Sequence, residues 1–153
     1  MTQAKLLTCA AFLSSLPLLA QADFSGKWEL NVSKSKNIGM MSQMKLTSTI
    51  TQTAEELVVG NATTFNGKES ESEIRLDLTG KPVPNKNPME APAETITRWQ
   101  GKTLVTTWTS PGSIAGTKSV RTEKRSLSPD NQVLTVESSR GASPPIVMVY
   151  DKR

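Results

Sequence analysis

The sequence predicts an all-β chain: a single antiparallel up-and-down β-barrel of about eight to ten strands, behind a short N-terminal leader. Three observations carry this reading. From Phe24 onward Thr, Val, Ser and Ile are abundant, and apolar residues recur at alternate positions rather than at helical spacing. Turn-forming Asn, Gly, Pro and Asp punctuate the chain at short intervals. The opening stretch Asp23-Phe24-Ser25-Gly26-Lys27-Trp28-Glu29-Leu30 sets a glycine two residues before a tryptophan in a strand, where the missing side chain lets another group approach closely.

Met1 to Ala22 precedes that stretch. It carries one cation, Lys5, an apolar run from Leu6 to Leu19, and the small-x-small ending Ala20-Gln21-Ala22. This is the pattern of a secretory signal peptide cut before Asp23. The run is shorter than the roughly 20 residues a membrane crossing needs, so no stable membrane insertion is expected after cleavage. Cys9, the only cysteine, lies within the leader behind Thr8, a poor fit to a lipoprotein signal. The expected domains are therefore a signal peptide over 1–22 and a barrel over 23–153, in a periplasmic or secreted setting.

The strands follow in order. Phe24–Val32 is the first, with Phe24, Gly26, Trp28 and Leu30 on one face. A polar connection, Ser33–Ser42, has room for one helical turn but not for a two-helix cap. Gln43–Gln52 and Leu57–Phe65 come next, and Asn66-Gly67 is the strongest hairpin signal in the chain because both residues tolerate positive φ. Lys68–Leu78 returns with Glu69, Glu71 and Glu73 on one face, read as solvated because carboxylates along one flat strand do not converge on a single ion. Thr79–Ala93 carries Pro82, Pro84, Pro88 and Pro92 and is expected to be irregular, either a lid or a passive insertion. Glu94–Trp99 and Leu104–Thr109 form a hairpin around Gln100–Thr103. Lys118–Leu127 and Val133–Ser139 form another, turning at Ser128-Pro129-Asp130-Asn131, and Ile146–Lys152 is the last strand. These nine strands in meander order protect their edges best by closing, with the last strand beside the first.

Composition excludes several chemistries. Beyond the leader there is neither cysteine nor histidine, which removes disulfides, thiolate metal sites and every histidine-dependent catalytic centre. The 18 basic residues, Lys5 among them, stand against 14 acidic ones and are scattered along the chain. Lys118, Arg121, Lys124 and Arg125 form the densest basic group, but Glu123 interrupts it and no ring is interleaved, so nucleic acid is not an expected partner. No side chain stands in an activating setting. Neither an enzyme nor a cofactor is expected.

The opening Phe24-Ser25-Gly26-Lys27-Trp28-Glu29-Leu30 resembles the first strand of the calycin superfamily, the lipocalins and fatty-acid-binding proteins. Val147-Met148-Val149-Tyr150-Asp151-Lys152 resembles the last strand of the fatty-acid-binding branch. In layout the whole mature chain is similar to small exported bacterial lipocalin-like proteins, through the Trp99-Gln100-Gly101-Lys102-x-Leu104 hairpin and the Leu127-Ser128-Pro129-Asp130 turn. The resemblance implies a barrel with an interior and Tyr150 pointing into it. Fatty-acid-binding proteins also place an arginine two residues before that tyrosine. Here the position is Met148.

The candidate ligand-binding residues are Trp99, Trp108, Met148, Tyr150 and Arg121, with Phe24, Gly26 and Trp28 as the plug at one barrel end. Rings with polar tips can orient a ligand in an apolar pocket, although Trp99, Trp108 and Tyr150 serve equally well as ordinary core. Arg121 and Arg125 share a strand face with Glu123. That face is read first as solvated, with two alternatives: one arginine stacked on Trp28, or Arg121 pointing inward to meet an anion. The expected function is an exported, non-enzymatic protein carrying or sequestering a small hydrophobic or weakly polar molecule. An apolar clamp end with one phenol favours neutral compounds over fatty acids. The alternatives are a protein–protein module resembling a periplasmic protease inhibitor, and a ligand-free envelope or structural protein. A cavity of several hundred Å³ separates the first from the others.

Overall fold

The computed structural model describes residues 20–87 and 90–153. The leader, with Cys9, falls almost wholly outside the described residues. Ten strands form one antiparallel sheet: β1 Gly26–Leu30, β2 Lys45–Gln52, β3 Glu56–Phe65, β4 Lys68–Asp77, β5 Val83–Lys86, β6 Pro92–Gln100, β7 Thr103–Pro111, β8 Lys118–Leu127, β9 Val133–Ser139 and β10 Ile146–Lys152. Their order across the sheet is β4-β3-β2-β1-β10-β9-β8-β7-β6-β5. The sheet curls into a nearly closed barrel whose seam lies between β4 and β5.

The first and last strands meet as expected. β1 pairs with β10 in the register Trp28↔Lys152, Glu29↔Asp151 and Leu30↔Tyr150. Every other pairing joins strands consecutive in sequence, so each is a local hairpin. The Asn66-Gly67 turn has φ of 49° and 73°, the positive pair a type I′ hairpin needs. Between β1 and β2 there are two single 3-10 turns, Val32–Lys34 and Gly39–Gln43, and no two-helix cap.

One expectation is corrected here. Within the proline-rich stretch Val83–Lys86 forms a strand, paired to β6 with Asn85 opposite Ala93, and β6 itself starts at Pro92. Pro84 is tolerated because β5 is an edge strand with a ladder on one side only. The Asn85 amide spans the seam, donating to the Arg75 carbonyl on β4 at 2.9 Å and to Thr95 Oγ1 on β6 at 2.8 Å.

One end of the barrel is filled. Phe24, Trp28, Leu57, Leu76 and Leu104 are fully buried, the Trp28 indole donates to the Phe24 carbonyl at 2.9 Å, and Phe24 stacks on Trp99 at 5.8 Å. Gly26 has a φ of 137°, and a Cβ there would meet Lys152 Cε at 3.1 Å. That space lets the Lys152 ammonium sit over the Trp28 ring, 5.3 Å from its centroid. The cation on Trp28 is therefore Lys152 of the neighbouring strand, and not Arg121 or Arg125.

Candidate functional site

Above the filled end the barrel encloses a cavity of about 1020 Å³, at the upper end of the roughly 300–1,000 Å³ usual for small-molecule pockets. Strand alternation supplies the apolar wall: Leu30, Leu46, Ile50, Val59, Ile74, Leu134, Val136 and Met148 all line it. Met41, within the second 3-10 turn, and Met44, the extended residue that ends it, also line the cavity. β4 and β5 contribute Glu71, Ser72, Pro84 and Asn85 to the lining.

β8 breaks the apolar-in, polar-out rule. Val120 points outward and is 50% exposed, while Arg121, Glu123 and Arg125 point inward and line the cavity. Their side chains are 20%, 8% and 6% exposed respectively. Glu123 and Arg125 form a close ion pair. Arg121 Nη2 stands 3.9 Å from Glu123 Oε2, at the limit of an ion pair, and its guanidinium lies 4.7 Å from the centroid of the Trp108 ring. Burial is the main influence drawing the Arg121 pKa down. Glu123 opposes it, while Arg140 and Arg125 add to it. An arginine nonetheless keeps its charge at any ordinary pH.

Tyr150 completes the site. Burial pushes its phenol up to about 12, with Glu123 adding to the shift and Arg125 and Ser48 working against it. It is therefore a neutral donor, and its hydroxyl donates to Met148 Sδ at 3.4 Å. Ser48 and Asn61 supply further polar lining, joined by a Ser48 Oγ to Asn61 Oδ1 bond of 2.6 Å.

Of the residues named from sequence, Arg121, Met148 and Tyr150 meet on the cavity wall. Trp99 stacks on Phe24 at the filled end, and Trp108 lies under Arg121. Neither indole is part of the cavity lining. The expectation that the Tyr150 end is apolar apart from one phenol is corrected: Arg121, Glu123 and Arg125 are there, supplied by β8 rather than by the last strand. The solvated reading of that face fails for the same reason. Ser48, Asn61, Met41 and Met44 were missed as lining, and only the period-two alternation of β2 and β3 could have placed Ser48 and Asn61 inside.

No protein-family model matches the sequence, and comparison with curated proteins gives no match. Solved structures do match in shape. The REP1-NXSQ fatty acid transporter superposes with a TM-score of 0.66 at 15% identity, over 84% of this chain and 95% of that one. Human cRBP IV gives 0.64 at 15% identity, over 86% and 99%. Lipid binding protein 8 of Caenorhabditis elegans gives 0.62 at 12% identity, over 85% and 95%. The likeness is one of fold: this chain's nearly closed, ten-stranded antiparallel barrel matches these structures in shape.

Proposed function

We propose that the protein is a non-enzymatic carrier or sequestering protein for a small amphipathic molecule, held in the barrel with its apolar body against the aliphatic wall and an acidic head at Arg121. The observation that carries this is Arg121 itself. It is a largely buried guanidinium in a cavity with an aliphatic wall, and the nearest carboxylate gives its close contact to Arg125 instead. A buried cation whose partners are a ring face and a carboxylate 3.9 Å away that is shared with Arg125 is only partly compensated, and an acidic ligand reduces the remaining cost. This replaces the neutral ligand expected from sequence, because that expectation rested on a cavity end without a cation. The cavity volume favours a carrier over a filled barrel acting through its outer surface. A transporter of fatty acids and a lipid-binding protein among the structures of this fold support the same reading.

Tryptophan fluorescence or calorimetric titration of the purified protein tests it. Dodecanoate is expected to bind more tightly than dodecanol, and Arg121→Gln to weaken dodecanoate tenfold or more, about 1.4 kcal/mol, while leaving dodecanol within a few-fold. Equal binding of dodecanoate to the native protein and R121Q would remove the basis of the reading. Read with the leader over 1–22, the carrier works in the periplasm or outside the cell. Intact mass of exported protein decides that part, with Asp23 expected as the first residue and a retained Met1 counting against export by this route.

A further inference from the structure

We infer that Glu123 is a specificity-determining residue that fixes the head-group charge at one, selecting monoanions such as carboxylates and discriminating against dianions such as phosphate monoesters. The inference rests on the proposed function and sharpens it. Arg121, Glu123 and Arg125 occupy alternate positions of β8 and so stack along one inward face. Their formal charges sum to +1, because Glu123 cancels Arg125 in a close, buried pair and leaves Arg121 over. The other charged residues bordering the cavity are exposed. Glu73 pairs with Arg75 and Glu90 with Lys86, all four side chains being more than half exposed. Glu71 on β4 also lines the cavity and is exposed. Arg140, whose charge acts on Arg121, is exposed too, so water screens them all. The interior charge that a ligand head must match is thus set by β8 alone. A carboxylate brings the buried total to zero. A phosphate monoester, which carries about −1.5 to −2 near neutral pH, leaves a negative remainder in a low-dielectric space, where unpaired charge is strongly disfavoured.

The same count explains why an acid should sit on β8 although Glu123 is also an acid. Without Glu123 two guanidinium groups would share one wall, and the cavity would be a site for doubly charged heads. With Glu123 but without Arg125, the remaining pair would be neutral and the preference for acids would vanish. Preference should therefore follow the net charge of the three positions rather than the presence of any one side chain. A purely structural ion pair would show no such pattern.

The test is a charge series read with three probes of equal chain length: dodecanoate, dodecyl phosphate and dodecanol, titrated at pH 8. The native protein, at +1, is expected to favour dodecanoate over dodecyl phosphate. Glu123→Gln, at +2, should shift that ratio tenfold or more toward the phosphate. Arg125→Met, at zero, should lose the preference for dodecanoate over dodecanol. The double variant E123Q/R125M, back at +1, should regain the preference for the carboxylate. If E123Q alone does not fold because Arg125 is left unpaired, R125M and the double variant carry the test, and the same preference in both overturns the inference. A phosphate-to-carboxylate ratio in folded E123Q within threefold of the native value also overturns it. These outcomes sink the role of Glu123 while the reading of Arg121 stands; insensitivity of dodecanoate to R121Q would sink both.

Discussion

Tyr150 carries the cavity's phenol where ionising it is costly, and this gives the protein an alkaline limit. Its pKa is pushed up to about 12 by burial, against an ordinary value of 10.0. Below pH 10 the phenol is neutral in both folded and unfolded chains, and its contribution to stability is fully present. Between pH 10 and 12 the unfolded chain releases the proton and the folded chain keeps it, so stability falls as pH rises. At about 1.4 kcal/mol per unit, the loss approaches 3 kcal/mol over the window. Urea unfolding at pH 9 and pH 11.5 should therefore show a steeper decline for the native protein than for Tyr150→Phe, by roughly 2 kcal/mol. Parallel declines would show that the phenol is not held neutral by burial. At this scale sequence was a partial guide. The alternation of Arg121, Glu123 and Arg125 against Val120, Thr122 and Lys124 is plain, but neither face of β8 reads as apolar core. With one valine on one side and an ion pair on the other, hydrophobic patterning cannot choose the inward face. The choice depends on neighbours: Trp108 opposite Arg121 on β7, and Val136 opposite Arg125 on β9.

Among the elements, β5 is the one that sequence hid. Four prolines over Thr79–Ala93 argue against a central strand, and that inference is sound, since β5 is an edge strand of only four residues. Hairpins with local turn chemistry were legible because the turn and both strands are contiguous, as at Asn66-Gly67. β5 depends instead on a side chain reaching across a seam. Asn85 holds β4 and β6 together through the Arg75 carbonyl and Thr95 Oγ1, whereas the nearby Arg75 pairs with Glu56 and Glu73 are exposed and contribute little. Asn85→Ala is expected to cost about 1–2 kcal/mol in urea unfolding and to raise amide exchange in Ile74 to Asp77 and in β5. A variant with native stability and unchanged exchange would mean that packing, not this amide, holds the seam.

For the molecule as a whole, closure falls on a short ladder. Two meanders, β1 to β4 and β5 to β10, are joined on one side by the seam and on the other by β1 and β10, the one strand pairing among the described residues that is not a local hairpin. That ladder has three residue pairs, extended by backbone bonds from Asn31 N to the Val149 carbonyl and from Arg153 N to the Lys27 carbonyl, and by the Lys36–Val147 bridge. Side chains reinforce it where the strands end: Asn31 Nδ2 donates to Asp151 at 2.6 Å, Arg153 Nε donates to Glu29 at 2.6 Å, and Lys152 covers Trp28. Removing Asp151 to Arg153 deletes these contacts while leaving Tyr150 and the cavity wall in the chain. At about 1 kcal/mol per net hydrogen bond, with a further contribution from the exposed Trp28 face, the loss should be about 3–5 kcal/mol. That is a large share of the roughly 5–15 kcal/mol that holds a domain of this size together. The truncated chain is expected to unfold at markedly lower urea, with red-shifted Trp28 emission and weakened dodecanoate binding, because the wall holding Met148 and Tyr150 keeps only Leu30↔Tyr150, the Asn31–Val149 bond and the Lys36–Val147 bridge as fastening. Native-like stability in the truncated chain would show that the Lys36–Val147 bridge and the upper part of β10 close the barrel without the terminal residues.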